Sequence, residues 1–287
     1  MSEPSDVAVA RTAIGVALIR ADESERPDRL FDDPFARALV DGAAEMTVGQ
    51  PYVSRADAGH PMVLRMVAQV IVRTKFFDGY LLDATGDGIR QVVLLAAGLD
   101  ARAYRLGFPD GVRLFELDQP QVLDYKQRVL AEATPRCERV AVPVDLRGDW
   151  LSALRQRGFD PSVPTAWLVE GLLIYLTATQ AARLLEAVTE LSAPGSRLSF
   201  EQSTLTSTPD TLGVLRQTGE TAAVSRLWQG GLGEDGAAWL LQRGWAISTV
   251  DRVELARAYG REIPGTAPGE FIVAKKRGFA YGGVVFR

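Results

Sequence analysis

The chain has 287 residues, a formal net charge of −4 and an ordinary apolar content, enough for one large α/β domain with a full core. Its basic side chains are scattered among acids and form no stripe, so nucleic acid is not an expected partner. A single cysteine, Cys137, excludes an internal disulfide and suits a reducing, cytoplasmic setting. A single histidine, His60, argues against a metal centre, no apolar run reaches membrane length, and the polar, acidic residues 1–6 do not read as a signal peptide.

In chain order, apolar spacing predicts a helix over residues 7–20, a helix start at Asp32-Asp33-Pro34, and a long amphipathic helix over residues 61–82. Seven strands are then expected, over residues 91–97, 113–118, 139–144, 165–171, 197–202, 245–250 and 270–275. Helical stretches at 119–133, 150–157, 177–192 and 235–242 separate most of them. This alternation predicts a largely parallel sheet covered on both faces. An insert at 203–233 follows the fifth strand, where substrate sites tend to be built. The tail at 277–287 fits none of these elements.

The most telling stretch joins the first two strands. An apolar run, Val92 to Ala97, stops at Gly98, and a second run, Val112 to Leu117, stops at Asp118, 20 residues beyond Gly98. A strand, a tight glycine turn, a helix start and a strand capped by a carboxylate form a nucleoside site: backbone approaches the ligand at Gly98, and Asp118 accepts from ribose hydroxyls. A dinucleotide would need further glycines in the turn to cradle a pyrophosphate. Here Ala96 and Ala97 precede Gly98, and Asp100 stands where a phosphate would lie. Asp100 would repel a pyrophosphate and attract an ammonium, such as the amino group of S-adenosylmethionine.

Further candidates stand at the other strand ends. Asp145 could accept from the adenine amino group with Leu146 against the ring, or Asp145 could cap the helix that begins near Trp150. Glu170 closes a very apolar segment, which is costly without a partner. It reads as a ligand-binding carboxylate or as half of a buried ion pair, and Tyr175 could line the same pocket or simply pack. Arg73 could hold a ligand carboxylate bidentately, or pair at the surface with Asp78 or Asp83. Glu201 could hold substrate or cap the insert. His60 reads as a helix cap or a surface residue more readily than as a base.

These residues lie in motifs that resemble the leucine carboxyl methyltransferase-like family of class I S-adenosylmethionine-dependent methyltransferases, in its bacterial O-methyltransferase branch. The marks are Arg11-Thr12-Ala13, RPDRLFDDPFA from Arg26, VRTKFFD from Val72, LLAAGLDARAYRL from Leu94, ELDQPQVLDYK from Glu116, VDLRGDW from Val144, EGLLIYL from Glu170 and RGW ending at Trp245. The resemblance implies a Rossmann-like sheet of seven strands, mostly parallel with an antiparallel last strand. It further implies an N-terminal helical lid at 1–86 and a methyltransferase domain at 87–276. It implies that Arg73 binds the methionine carboxylate, Gly98 and Asp100 the methionine end, Asp118 the ribose, Asp145 and Leu146 the adenine, and that Glu170 faces the amino group or sulfonium. Many members carry glycine at the position of Ala96.

The expected reaction is in-line methyl transfer, in which the enzyme aligns the reactants and excludes water. A carboxylate acceptor needs no base, whereas a phenol or alcohol does. With one histidine, and no lysine between Lys126 and Lys275, the expected acceptor is a small molecule bearing a carboxylate or acidic hydroxyl, positioned by Tyr175 and Glu201. The rivals are a nicotinamide-dependent dehydrogenase, a non-catalytic nucleoside-binding protein and a protein carboxyl methyltransferase.

Overall fold

The computed structural model describes residues 4–45, 61–203, 228–232, 236–265 and 269–278. Seven strands form one sheet: β1 (Gln91–Leu95), β2 (Arg113–Asp118), β3 (Glu138–Pro143), β4 (Thr165–Val169), β5 (Arg197–Ser203), β6 (Trp245–Asp251) and β7 (Gly269–Lys276). Their order is β3-β2-β1-β4-β5-β7-β6. β1 to β5 run parallel, and β7 lies antiparallel between β5 and β6. The expected mostly parallel sheet with an antiparallel last strand is what the chain forms.

Successive side chains of a strand point to opposite faces, so a run that is apolar throughout needs cover on both. All five residues of β1 are buried. Val92 and Leu94 join one core with α1 (Pro4–Ser24), α2 (Ala36–Asp41), α3 (Pro61–Gly86) and α5 (Pro120–Val129). Ile14, Leu39, Phe77 and Tyr125 are their contributions, with Ala256 from α9 (Arg252–Ala258). Val93 and Leu95 join a second core with α6 (Trp150–Gln156), α7 (Ala178–Glu190) and α8 (Gly236–Leu241), centred on the fully buried Trp167. The helix over 4–24 and the long helix over 61–86 therefore share a core with the sheet.

Helix ends follow local chemistry. Pro120 opens α5, where a missing N–H costs nothing. Thr177 and Gln180 make a reciprocal capping box on α7. Asp251 accepts from Val253 and Glu254 N–H at 2.8 Å each, and so starts α9 directly off the end of β6. α9 was not expected from the sequence. Two expected strands run long: β1 stops at Leu95 because Ala96 turns to φ +55°, and β4 stops at Val169 before the turn at Gly171, φ +68°.

Candidate functional site

Strand order reverses between β1 and β4, since β2 and β3 lie to one side and β5 to the other. Such a switch opens a crevice at the carboxyl ends of the strands. Gly98 follows β1, Asp118 ends β2, Glu170 follows β4 and Glu201 lies in β5, so these candidates share that edge.

After β1 the chain makes a tight turn with Ala96 at φ +55° and Gly98 at φ +50°, and a short helix α4 (Arg102–Arg105) follows. The Gly98 N–H donates to Asp118 Oδ2 at 2.6 Å, and the Gln119 N–H donates to Oδ1 at 2.7 Å. Burial raises the proton affinity of Asp118, against the opposing pull of these two amides. A carboxylate so placed, with only backbone donors, suits a vicinal diol. Ala13 of α1 lies over the turn, 3.7 Å from where a Cβ on Gly98 would stand.

Asp100 departs from its expected orientation. Its Oδ1 accepts from the Arg102 N–H and its Oδ2 from the Arg102 guanidinium, in a buried position. Burial favours its neutral form, but Arg102, Arg20 and Lys126 outweigh that and hold the carboxyl below its ordinary range. The carboxylate that the sequence pointed at a ligand ammonium is thus turned inward onto an arginine.

Glu170 is the centre of an arginine cluster. It accepts from Arg20 at 3.0 Å, Arg73 at 3.0 Å and Arg102 at 2.6 Å. Its burial opposes charge, yet Arg102, Arg20 and Arg73 hold it well below the usual carboxylate range. Arg102 is fully buried and also donates to Asp78 at 2.7 Å, and Asp78 in turn pairs with Arg105 at 2.7 Å. Arg73 therefore faces the crevice rather than Asp78 or Asp83, and its Nη1 donates to Glu201 Oε1 at 3.2 Å.

Glu201 Oε1 also accepts the Gly171 N–H at 2.6 Å, while its Oε2 is buried with no hydrogen-bond partner among the described residues. Burial raises its proton affinity, Arg73 lowers it, and Glu170 raises it again. Two carboxylates sharing one arginine are thereby pushed apart in acidity. Tyr175 sits in a 3-10 turn (Leu173–Tyr175), and its hydroxyl is hydrogen-bonded to Thr12 of α1 and to Trp228, with burial raising the phenol's affinity for its proton. Gln229 N–H donates to Ile174 O at 2.7 Å, which pins the chain beyond the insert to this turn.

Asp145 lies two residues past β3, half-exposed, accepting from Arg147 N at 2.8 Å and from its guanidinium at 2.6 Å. Asp149, not Asp145, caps α6, accepting from Ser152 N at 3.1 Å. Leu146 is half-buried and packs on the core beneath α6. His60 and residues 204–227 lie outside the described residues. Sequence reasoning missed Arg20 and Arg102, and with them the buried Lys126, whose charge acts on Asp100, and Arg252, which lies near Glu201. Only Arg102 left a signal, an arginine two residues past the acid of the turn.

A crevice at the switch point of a seven-stranded, mostly parallel sheet is the binding architecture of many cofactor-dependent α/β enzymes. The chain belongs to the leucine carboxyl methyltransferase family, whose pattern it matches over residues 13–189. A protein of Frankia alni provisionally named an S-adenosyl-L-methionine-dependent methyltransferase is 48% identical over 272 residues, covering 94% of this chain and 95% of the relative. One of a Parafrankia strain with the same provisional name is 45% identical, covering 96% of this chain and 89% of the relative. A crystal structure from Thermobifida fusca, provisionally called a methyltransferase, has TM-score 0.52 at 20% identity, covering 86% of this chain and 90% of that one, and shares its fold.

Proposed function

We propose that this S-adenosylmethionine-dependent methyltransferase transfers a methyl group to an oxygen of a small molecule, a carboxylate or an acidic hydroxyl, in natural-product chemistry. The observation that carries the reading is the pairing of Gly98 with Asp118 at the switch point, with Arg73 across the crevice. The cofactor supplies, when bound, a methyl already activated on a sulfonium. The residues that fit it are a diol acceptor at Asp118 and a guanidinium for a carboxylate at Arg73, whereas Glu170, expected to face the amino group or sulfonium, is already matched by Arg20, Arg73 and Arg102.

Each role belongs to this reading. Arg73 takes the methionine carboxylate by giving up its longer contact, the 3.2 Å one to Glu201. Gly98 and Asp100 set the methionine end, the former by close backbone approach and the latter by ordering the turn through Arg102. Asp145 and Leu146 flank the adenine once Asp145 exchanges Arg147 for the base. Tyr175 and Glu201 line the acceptor side, where Thr12, Ala13 and Arg20 place α1 as a cover over the crevice. The segment 1–86 acts as the lid, 87–276 as the transferase unit. Among the described residues no helix is long and apolar enough to cross a membrane, and the lone Cys137 fits a cytoplasmic setting. The family's description favours a carboxylate over a hydroxyl, and keeps a protein carboxyl group in view as an alternative acceptor.

Calorimetry with S-adenosylmethionine and with NAD tests the cofactor: binding of NAD alone would end the reading. Rates against pH test the acceptor. A carboxylic acid gives a nearly flat profile from roughly pH 6 to 9, while a weakly acidic phenol gains about tenfold per unit below its pKa. One shared inflection near about pH 6.5, removed by His60→Ala, would make His60 a base and the base-free mechanism wrong.

A further inference from the structure

The turn between β1 and α4 stores strain. Ala96 has a side chain and yet sits at φ +55°, a left-handed conformation that L-residues other than glycine rarely adopt. Such a turn keeps its shape only if its surroundings fasten it. Asp118 holds it at Gly98 N, and Arg102 holds it at the Asp100 side chain. The third fastening comes from behind the crevice, out of reach of any ligand in it.

Lys126, on α5, is fully buried, and its Nζ donates to the Asp100 carbonyl at 3.0 Å. The same Nζ pairs at 2.8 Å with Oε2 of Glu116, itself fully buried in β2 two residues before Asp118. Arg139 of β3 reaches the same oxygen at 2.7 Å. A buried lysine is expensive, and apolar residues of the same volume would fill this space at lower cost. What an ammonium adds is a bond to the one backbone carbonyl that ends the strained turn, anchored to the strand that carries Asp118.

We propose that Lys126 is a positioning residue for methyl transfer: through the Asp100 carbonyl it holds the Ala96–Asp100 turn in the shape that meets the methionine half of the cofactor, and Glu116 with Arg139 holds its ammonium there. This rests on the S-adenosylmethionine reading. The nucleoside half depends less on Lys126, because Asp118 is also held by Gln119 N.

The test is calorimetry with S-adenosylhomocysteine, which carries the amino-acid half, beside 5′-methylthioadenosine, which lacks it. Lys126→Met should weaken the first about tenfold, the scale on which a supporting shell acts on its ligand, and the second less than about threefold. Ala96→Gly in the Lys126→Met background should recover part of the loss, since the turn then needs less restraint. Lys126→Met leaves Glu116 still paired with Arg139, so it strands no carboxylate, and Lys126→Leu repeats the measurement with a different apolar shape and should show the same split. Equal losses for the two ligands, or no loss for either, would make Lys126 purely structural and overturn the inference. If the unaltered protein bound neither ligand, the cofactor reading would fall, and this inference with it.

Discussion

The backbone N–H of Gly98 donates to the carboxylate of Asp118 at 2.6 Å, joining the turn after β1 to the end of β2 across 20 residues of chain. The acid that accepts ribose hydroxyls in the proposed complex thus already orders the turn that the ligand must approach. Asp118→Ala removes both contributions. It should weaken S-adenosylhomocysteine binding by about 1–3 kcal/mol in a calorimetric titration, the cost of leaving polar groups unpaired in a closed site. Asp145→Ala should cost less, because Asp145 is half-exposed and paired with its neighbour Arg147. Unchanged affinity in Asp118→Ala would mean that the nucleoside lies elsewhere.

Ala96 offers a direct measure of strain. Ala96→Gly should raise unfolding stability by up to about 1 kcal/mol: a left-handed residue loses its steric penalty, while the unfolded chain gains freedom that partly offsets the gain. Urea unfolding checks it. A destabilised variant would show that the Ala96 methyl contributes more by packing than it costs by conformation.

Arg102 has the opposite character. It is fully buried and touches Asp78, Asp100 and Glu170. Arg102→Leu takes from Asp100 its ion-pair partner and from Asp78 and Glu170 one partner each, and should cost about 3–5 kcal/mol, the scale for breaking a buried ion pair. Thermal unfolding should show this as a large fall in Tm or as insoluble protein. Arg102→Lys should not restore it, since one ammonium cannot serve three carboxylates in fixed directions.

Glu170 and Glu201 should respond oppositely to pH. Glu170 is held below its ordinary 4.5, so the stability it contributes is present above that value and is lost as pH falls through its lowered folded value. Glu201 is raised above 4.5 by burial, with Glu170 adding to the effect and Arg73, the Gly171 amide and nearby Arg252 opposing it. Its contribution is therefore full below 4.5 and lost as pH rises through its folded value. Glu201→Gln keeps the shape and removes the titration. Its stability should match the native chain's in acid and exceed it at neutral pH, as read by denaturant unfolding at several pH values. An advantage confined to acid would reverse the assignment.

What could be read in the sequence was what local pattern encodes. The first five strands stood out because apolar runs ended at glycines or acids, and Gly98, Asp118, Glu170 and Glu201 were singled out because each closes such a run. Partners could not be read the same way. Glu170 meets Arg20 across 150 residues, and Arg73 meets Glu201 across 128, contacts that exist only once α1 and α3 have packed on the sheet. Asp100 was read as facing a ligand because an arginine two residues on does not by itself show that its side chain turns back onto the acid. α9 was missed for a different reason: it is 7 residues long and begins on the residue that follows a strand, so no linker punctuates it.

The place of β7 constrains how the polypeptide can mature on the ribosome. Among the described residues Gly269–Lys276 is the last strand to be synthesised, yet it slots between β5 and β6, hydrogen-bonding both. Until those residues leave the exit tunnel, two neighbouring strands present bare edges, the feature most apt to recruit a foreign strand. A nascent chain lacking its final strand is thus not a nearly finished enzyme but a split sheet, and premature termination shortly before Gly269 should yield aggregates or degradation products rather than a weakened catalyst.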